Sequence, residues 1–305
     1  MKRAAILCAM LAVVSIALAQ AGGTPQPQNP PAGQPAAATP QAAAAPAAKR
    51  PPQAKTQPEF DAFKAAGTNT DPTALEKAAD DFATKFPDSE LRVLLYKNAM
   101  RTYQGANNAD KMLEMGRKAI AIDGDDPEAL VDVAEVLAER TRDTDLDKDQ
   151  RLDEARKSAE KALQTVDTDV VFPAGTAPDK IEAYKNLLRS TAYGILGALE
   201  FNKGNFSVAE GDFHKSIDAF PQQPDPVTVL RLSLALDRQN KYPEALTYAN
   251  RAVELTQEGT PAGTLARRER DRLLQLTGGK PASPAAGANP APTAPQQTPA
   301  TPPKK

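Results

Sequence analysis

Between roughly Pro58 and Gly278, apolar residues recur at intervals of three and four, as in Leu94, Leu95, Met100 and Tyr103 or in Leu230, Leu234 and Leu236. That is the helical period, and no stretch alternates strictly for long enough to predict a strand. Breaks fall at Phe86-Pro87-Asp88-Ser89, at Gly124-Asp125-Asp126-Pro127 and at Phe220-Pro221, each carrying the proline or cap residue that ends one helix and opens the next. The pattern predicts an all-α, antiparallel arrangement of short helices.

Aligning the second helix of each predicted pair reveals an internal repeat. Ala155, Ala159, Ala162 and Leu163 stand at the same spacing as Ala245, Ala249, Ala252 and Val253, and as Ala209, Phe213, Ser216 and Ile217. The stretch around Met112, Gly116, Ala119 and Ile120 follows the same rule. A narrow stripe of small residues lets the two helices of a hairpin approach closely.

These positions resemble the tetratricopeptide repeat family. From Ser190 to Pro221, the residues Leu196-Gly197, Gly204-Asn205-Phe206, Ala209, Phe213 and Pro221 fall on its signature positions. The following pair agrees through Leu232, Asn240-Lys241-Tyr242, Ala245 and Ala252, and the pair starting near Val93 agrees through Tyr96, Tyr103 and Ala119. The resemblance implies an all-α, right-handed α-α superhelical solenoid over residues 58–278, with about five helix pairs and a C-terminal capping helix.

The markers Ala119, Ala162, Ser216 and Ala252 are 43, 54 and 36 residues apart, against a family period of about 34, which implies insertions of about 9, 20 and 2 residues. The first fits Thr141 to Asp149, and the second fits Val170 to Arg189. The apolar run Val170-Val171-Phe172-Pro173 in the second is expected to fold back on the solenoid. The opening pair, with Phe60, Phe63, Ala78 and Phe82, is short and reads as a cap. The last helix, from about Pro261 to Leu276, sets Leu265, Leu273, Leu274 and Leu276 beside Arg267, Arg268, Arg270 and Arg272, a polar-faced closing helix.

Composition changes the picture at both ends. Residues 1–19 carry Lys2 and Arg3, then an apolar run, then Ala17-Leu18-Ala19, the layout of a cleaved secretory leader. From Ala4 to Ala19 a helix reaches only about 24 Å, short of a roughly 30 Å hydrocarbon core, so no transmembrane span is expected after cleavage. Residues 20–57 are rich in Pro, Ala and Gln, and residues 279–305 in Pro, Ala and Thr; such segments bury too little apolar surface to fold, and both read as disordered arms. The expected location is periplasmic or secreted. Loss of the leader removes the lone Cys8 and leaves 35 basic against 39 acidic residues, a balance that does not favour nucleic acid.

The chemistry of catalysis is thinly represented. His214 is the sole histidine, no thiol remains, and neither a glycine-rich phosphate loop nor a nucleophile elbow is present. No enzyme activity and no cofactor are expected. The resemblance instead implies a protein or peptide partner bound in a concave groove lined by the first helices of successive pairs. Projecting the family's groove positions gives Lys97, Arg101, Glu128, Val131, Glu135, Ala138, Phe201, Asn202, Leu230, Arg231, Leu234 and Arg238. Asp132 and Glu135 stand where a carboxylate-gripping clamp needs cations or amides, so that mode is not expected. The reading is an interaction scaffold of the bacterial cell envelope, with self-association left open. An alternative is a calcium- or small-ligand-responsive module using the insertion 141–154, where Asp143, Asp145, Asp147, Asp149 and Glu154 follow the spacing of a calcium loop. Lys148 occupies the place that such a loop gives to glycine.

Overall fold

The computed structural model describes residues 49–279. The leader at 1–19, most of the arm at 20–57 and the tail beyond Gly279 lie outside the described residues. Those residues form eleven helices and no strand: α1 Gln57–Gly67, α2 Pro72–Lys85, α3 Arg92–Gly105, α4 Ala109–Ile122, α5 Pro127–Arg140, α6 Lys148–Thr165, α7 Pro178–Asn202, α8 Phe206–Ala219, α9 Pro226–Asp237, α10 Tyr242–Leu255 and α11 Pro261–Thr277. No helix among them is long and apolar enough to cross a membrane.

Local chemistry starts several of the helices in the same way. Asp71, Asp126 and Asp225 each accept a hydrogen bond from the backbone N–H three residues on, with proline following as the first helical residue. The carboxylate satisfies an otherwise orphaned donor, and proline supplies a preset φ where no N–H is needed. Thr56 and Thr260 do the same for α1 and α11.

The turn inside three hairpins is also repeated. Asn107, Gly204 and Asn240 all take positive φ, of 55°, 83° and 61°, one residue before the cap of the next helix. In each, the following N–H reaches back to a carbonyl in the last turn: Asn108 to Tyr103, Asn205 to Glu200, and Lys241 to Leu236. This is the left-handed helix stop that glycine and asparagine tolerate best. The α5–α6 hairpin departs from it, because residues 141–147 intervene.

Consecutive helices pack as five hairpins, α1–α2 through α9–α10, and α11 closes the array against α10 and α9. The first helices also touch one another, α1 with α3, α5 with α7, α7 with α9 and α9 with α11, and so build one face of the solenoid. The small-residue stripe lies at the hairpin contacts, where Ala119, Ala155, Ala159, Ala209, Ala245, Ala249 and Ala252 are fully buried. At Gly197 a Cβ would sit 2.6 Å from the Phe213 ring, so the α7–α8 crossing admits no side chain there. The architecture is a tetratricopeptide-type solenoid.

The described residues begin within the segment that composition assigns to the arm. Residues 49–56, assigned to the arm, run against the loops at one end of the repeats. The Lys49 N–H donates to the Thr168 carbonyl at 2.8 Å, and its ammonium lies 2.6 Å from Asp123 and 3.3 Å from Asp169. Arg50 pairs with Glu90, and the Lys55 ammonium donates to the Asp88 carbonyl at 2.8 Å. Three cations thus pin the strap to three successive inter-hairpin loops. Lys49→Ala is expected to lower stability by about 1 kcal/mol, at the upper end for partly exposed pairs, because one ammonium ties two loops. A urea midpoint unchanged from the parent would show that the strap rests on the solenoid without stabilising it.

Candidate functional site

On the first-helix face, α5 carries an acidic stripe at helical spacing: Glu128, Asp132, Glu135 and Glu139. From α3, Lys97 and Arg101 reach its first turn. The Lys97 ammonium lies 2.6 Å from Asp126 Oδ2 and 2.9 Å from Glu128 Oε2, while Arg101 Nε donates to Glu128 Oε1 at 2.6 Å. Burial alone would raise the Glu128 pKa, but Arg101 and Lys97 overcome it and hold the group at about 2. Burial likewise opposes the charge on Lys97, and Glu128 with Asp126 more than restores it. This is a desolvated, hydrogen-bonded ion cluster joining the second hairpin to the third.

Asp132 is treated differently by its surroundings. It is 7% exposed, and burial, reinforced by Glu128 and Glu135, pushes its pKa well above the ordinary carboxylate range against the pull of Arg101 and Lys97. Tyr184, from the extra N-terminal turns of α7, packs beside this cluster; burial first, and then Glu128, drive its phenol pKa upward. Its ring meets Phe172 edge to face at 5.6 Å, and Val170 packs against the core. The inserted apolar run therefore does fold back. Lys185 donates to the Asp167 carbonyl at 2.9 Å, and Arg189 pairs with the Asp167 carboxylate, securing the base of the loop.

Further along the face the surface opens. Glu135 and Ala138 are half-buried and Glu139 is exposed. Arg231 on α9 is half-buried, its positive charge disfavoured by burial and favoured by Glu139 and Glu135. Leu234 is half-buried, while Asn202 and Arg238 are exposed. Phe201 stands edge to face with Phe206 at 5.2 Å, and the Arg238 guanidinium lies over the Phe206 ring at 5.8 Å.

The twelve projected groove residues thus divide into three groups. Lys97, Arg101 and Glu128 are tied to one another beneath the α7 extension. Val131 and Leu230, 2% and 3% exposed, belong to the hydrophobic core and are closed to a partner in the groove. Glu135, Ala138, Phe201, Asn202, Arg231, Leu234 and Arg238 form the accessible part. The projection missed Glu139 and Tyr184, and it used Asp132 only as an argument against a clamp.

No family model and no curated protein matches the chain. Among solved structures, the crystal structure of MamA protein is similar at 18% identity and a TM-score of 0.45, over 65% of this chain and 89% of that one. The assembly chaperone of RpL4, Acl4, is similar at 12% identity and a TM-score of 0.36, over 72% of this chain and 98% of that one. The Cut9-Hcn1 hetero-tetramer of APC/C is similar at 13% identity and a TM-score of 0.33; 72% of this chain is aligned with 46% of that one. Likeness at this level does not bear on function.

The acids of the insertion do not converge. Asp143 pairs with Lys148 at 2.8 Å, Asp145 accepts from the Arg142 N–H at 2.9 Å, and Asp147 lies 3.8 Å from Arg151. Asp149 is in the first turn of α6, and both Glu154 oxygens accept from Arg117 on α4. Among the described residues no group of three or more acids, histidines or cysteines is arranged to hold a metal ion. His214 stacks edge to face on Tyr248 at 5.4 Å, a helix-surface contact. On the closing helix, Arg267 donates to the Gly263 carbonyl at 3.0 Å, Arg270 pairs with Asp271, and Arg272 pairs with Glu269 and Asp237.

Proposed function

We propose that the protein is a non-enzymatic interaction scaffold of the bacterial cell envelope, exported by its leader, which receives a peptide or helix of a partner protein on the open half of its first-helix face. The observation carrying this reading is the division of that face. Its first half is sealed by its own ion pairs and Tyr184, whereas the half between α5 and α9 keeps Glu135, Glu139, Arg231, Leu234 and Arg238 within reach of solvent. A groove of mixed charge around apolar patches selects partners by complementary charge more than by buried area. The leader-like segment and the Pro/Ala-rich arm support export and tethering away from the attachment point.

Photo-reactive residues at Ala138, Asn202, Leu234 and Arg238 test this in the native envelope, with exposed Val208 on α8 as the control. One protein captured recurrently from the four groove positions and not from Val208 is the expected result. Capture from Val208 alone would move the working surface to the second-helix face.

A further inference from the structure

We propose that Asp132 is the seat for one cationic side chain, lysine or arginine, of the bound partner segment. The inference rests on the groove reading above and adds the chemistry of one contact. Near the first turns of α5, three carboxylates face two cations. Lys97 is held by Asp126 and Glu128, and Arg101 by Glu128, so both α3 cations of this cluster are committed before Asp132 is reached. Asp132 makes no hydrogen bond and no ion pair among the described residues, although it is 7% exposed. A largely buried carboxylate is stabilised by a proton, by hydrogen-bond donors or by a cation brought into contact, and of the two that a partner can supply only the cation also offsets the acidic field of Glu128 and Glu135 around Asp132.

The surroundings indicate which way a ligand acts. The groups facing Asp132 are Lys97 and Arg101 from α3, Glu128 and Glu135 from its own helix, and Tyr184 from α7. Arg231 from α9 interacts instead with Glu135 and Glu139, further along the stripe, so the protein's own third cation does not serve Asp132. Between the two cationic zones the field is acidic. Glu135 and Ala138, further along the same helix, are half-buried, and a cation reaching Asp132 past them would need a long aliphatic stem carrying a charged tip. Burial and the neighbouring carboxylates favour the protonated form of Asp132 in the free protein, so an incoming cation favours release of that proton into solvent.

The probes are synthetic 12-residue amphipathic peptides carrying a single central lysine or arginine, each paired with an uncharged counterpart containing norleucine or citrulline. The full chain is expected to bind the charged member of at least one pair about tenfold more tightly, with calorimetric heats that vary with buffer ionisation because a proton is released. In Asp132→Asn the preference and the proton release are both expected to vanish, while the melting temperature stays at or above that of the parent. Equal affinities within every pair, no binding of any peptide, or a preference that survives Asp132→Asn would each overturn the inference. The envelope cross-links separate the two readings. A captured segment lacking lysine and arginine at the Ala138 contact refutes the cation seat and leaves the groove standing, whereas no capture from any groove position refutes both.

Discussion

Glu128→Ala is expected to destabilise the protein by about 3–5 kcal/mol, because truncating one member of a buried ion cluster leaves its partners charged, desolvated and unbalanced. Glu128 is 4% exposed and is the shared acceptor of Lys97 and Arg101. Without it, Lys97 keeps Asp126, while Arg101 must turn to Asp132. The pH dependence has a definite sign. With its folded pKa held at about 2, below the unfolded reference of 4.5, Glu128 contributes stability that is present in full above that reference and lost as pH falls towards 2. Asp132, raised in the folded state, works in the opposite direction: its contribution is favourable at low pH and declines as pH rises above its unfolded reference of 3.8. Urea unfolding of the parent and Glu128→Ala at pH 7 and pH 3 should therefore show a large gap that narrows in acid. A gap of the same size at both values would mean that packing, and not charge, is what Glu128 supplies.

How much of this was legible depends on the distance over which each residue acts. Helices, caps and turns are local, and Asp126-Pro127, Asp225-Pro226 and Asn240-Lys241 announce themselves within a few residues. The stripe of small residues marked the hairpin contacts because its period is fixed by helix geometry. Rotation about a helix axis is less well determined. Adjacent residues differ by about 100°, so Val131 and Leu230 were assigned to the groove while their neighbours Asp132 and Arg231 face it. The cluster linking Lys97 and Arg101 to Asp126 and Glu128 joins residues 27 to 29 apart in sequence, so Lys97, Arg101 and Glu128 project as three separate open positions and Asp126 as part of a helix break. Tyr184 lies in an insertion outside the repeat period, where no projection reaches it. The strap did leave a trace: Lys49, Arg50 and Lys55 are the only charged residues in the whole 20–57 segment, and each finds a partner on an inter-hairpin loop. Composition averaged over the segment concealed that local change.

Phe213→Ala is expected to cost about 3–5 kcal/mol, as for other fully buried aromatic side chains. The ring is 0% exposed and lies against the backbone of α7 at Gly197, where a Cβ would come within 2.6 Å of two ring carbons. Gly197→Ala alone is expected to cost about 1–3 kcal/mol through overpacking. In the double variant the added methyl enters the space that the ring vacates, so the combined loss should fall short of the sum by about 1 kcal/mol or more. The reason reaches beyond this hairpin. In a solenoid each pair is stabilised mainly by its neighbours, and α7–α8 is the joint between the sealed half of the face and α9, which carries Arg231, Leu234 and Arg238 on the open half. Weakening that joint should therefore reduce cross-linking at Leu234 and Arg238 more than at Ala138. Additive losses in the double variant would mean that Gly197 answers to backbone conformation and not to the ring, and the joint would then be set elsewhere along α7.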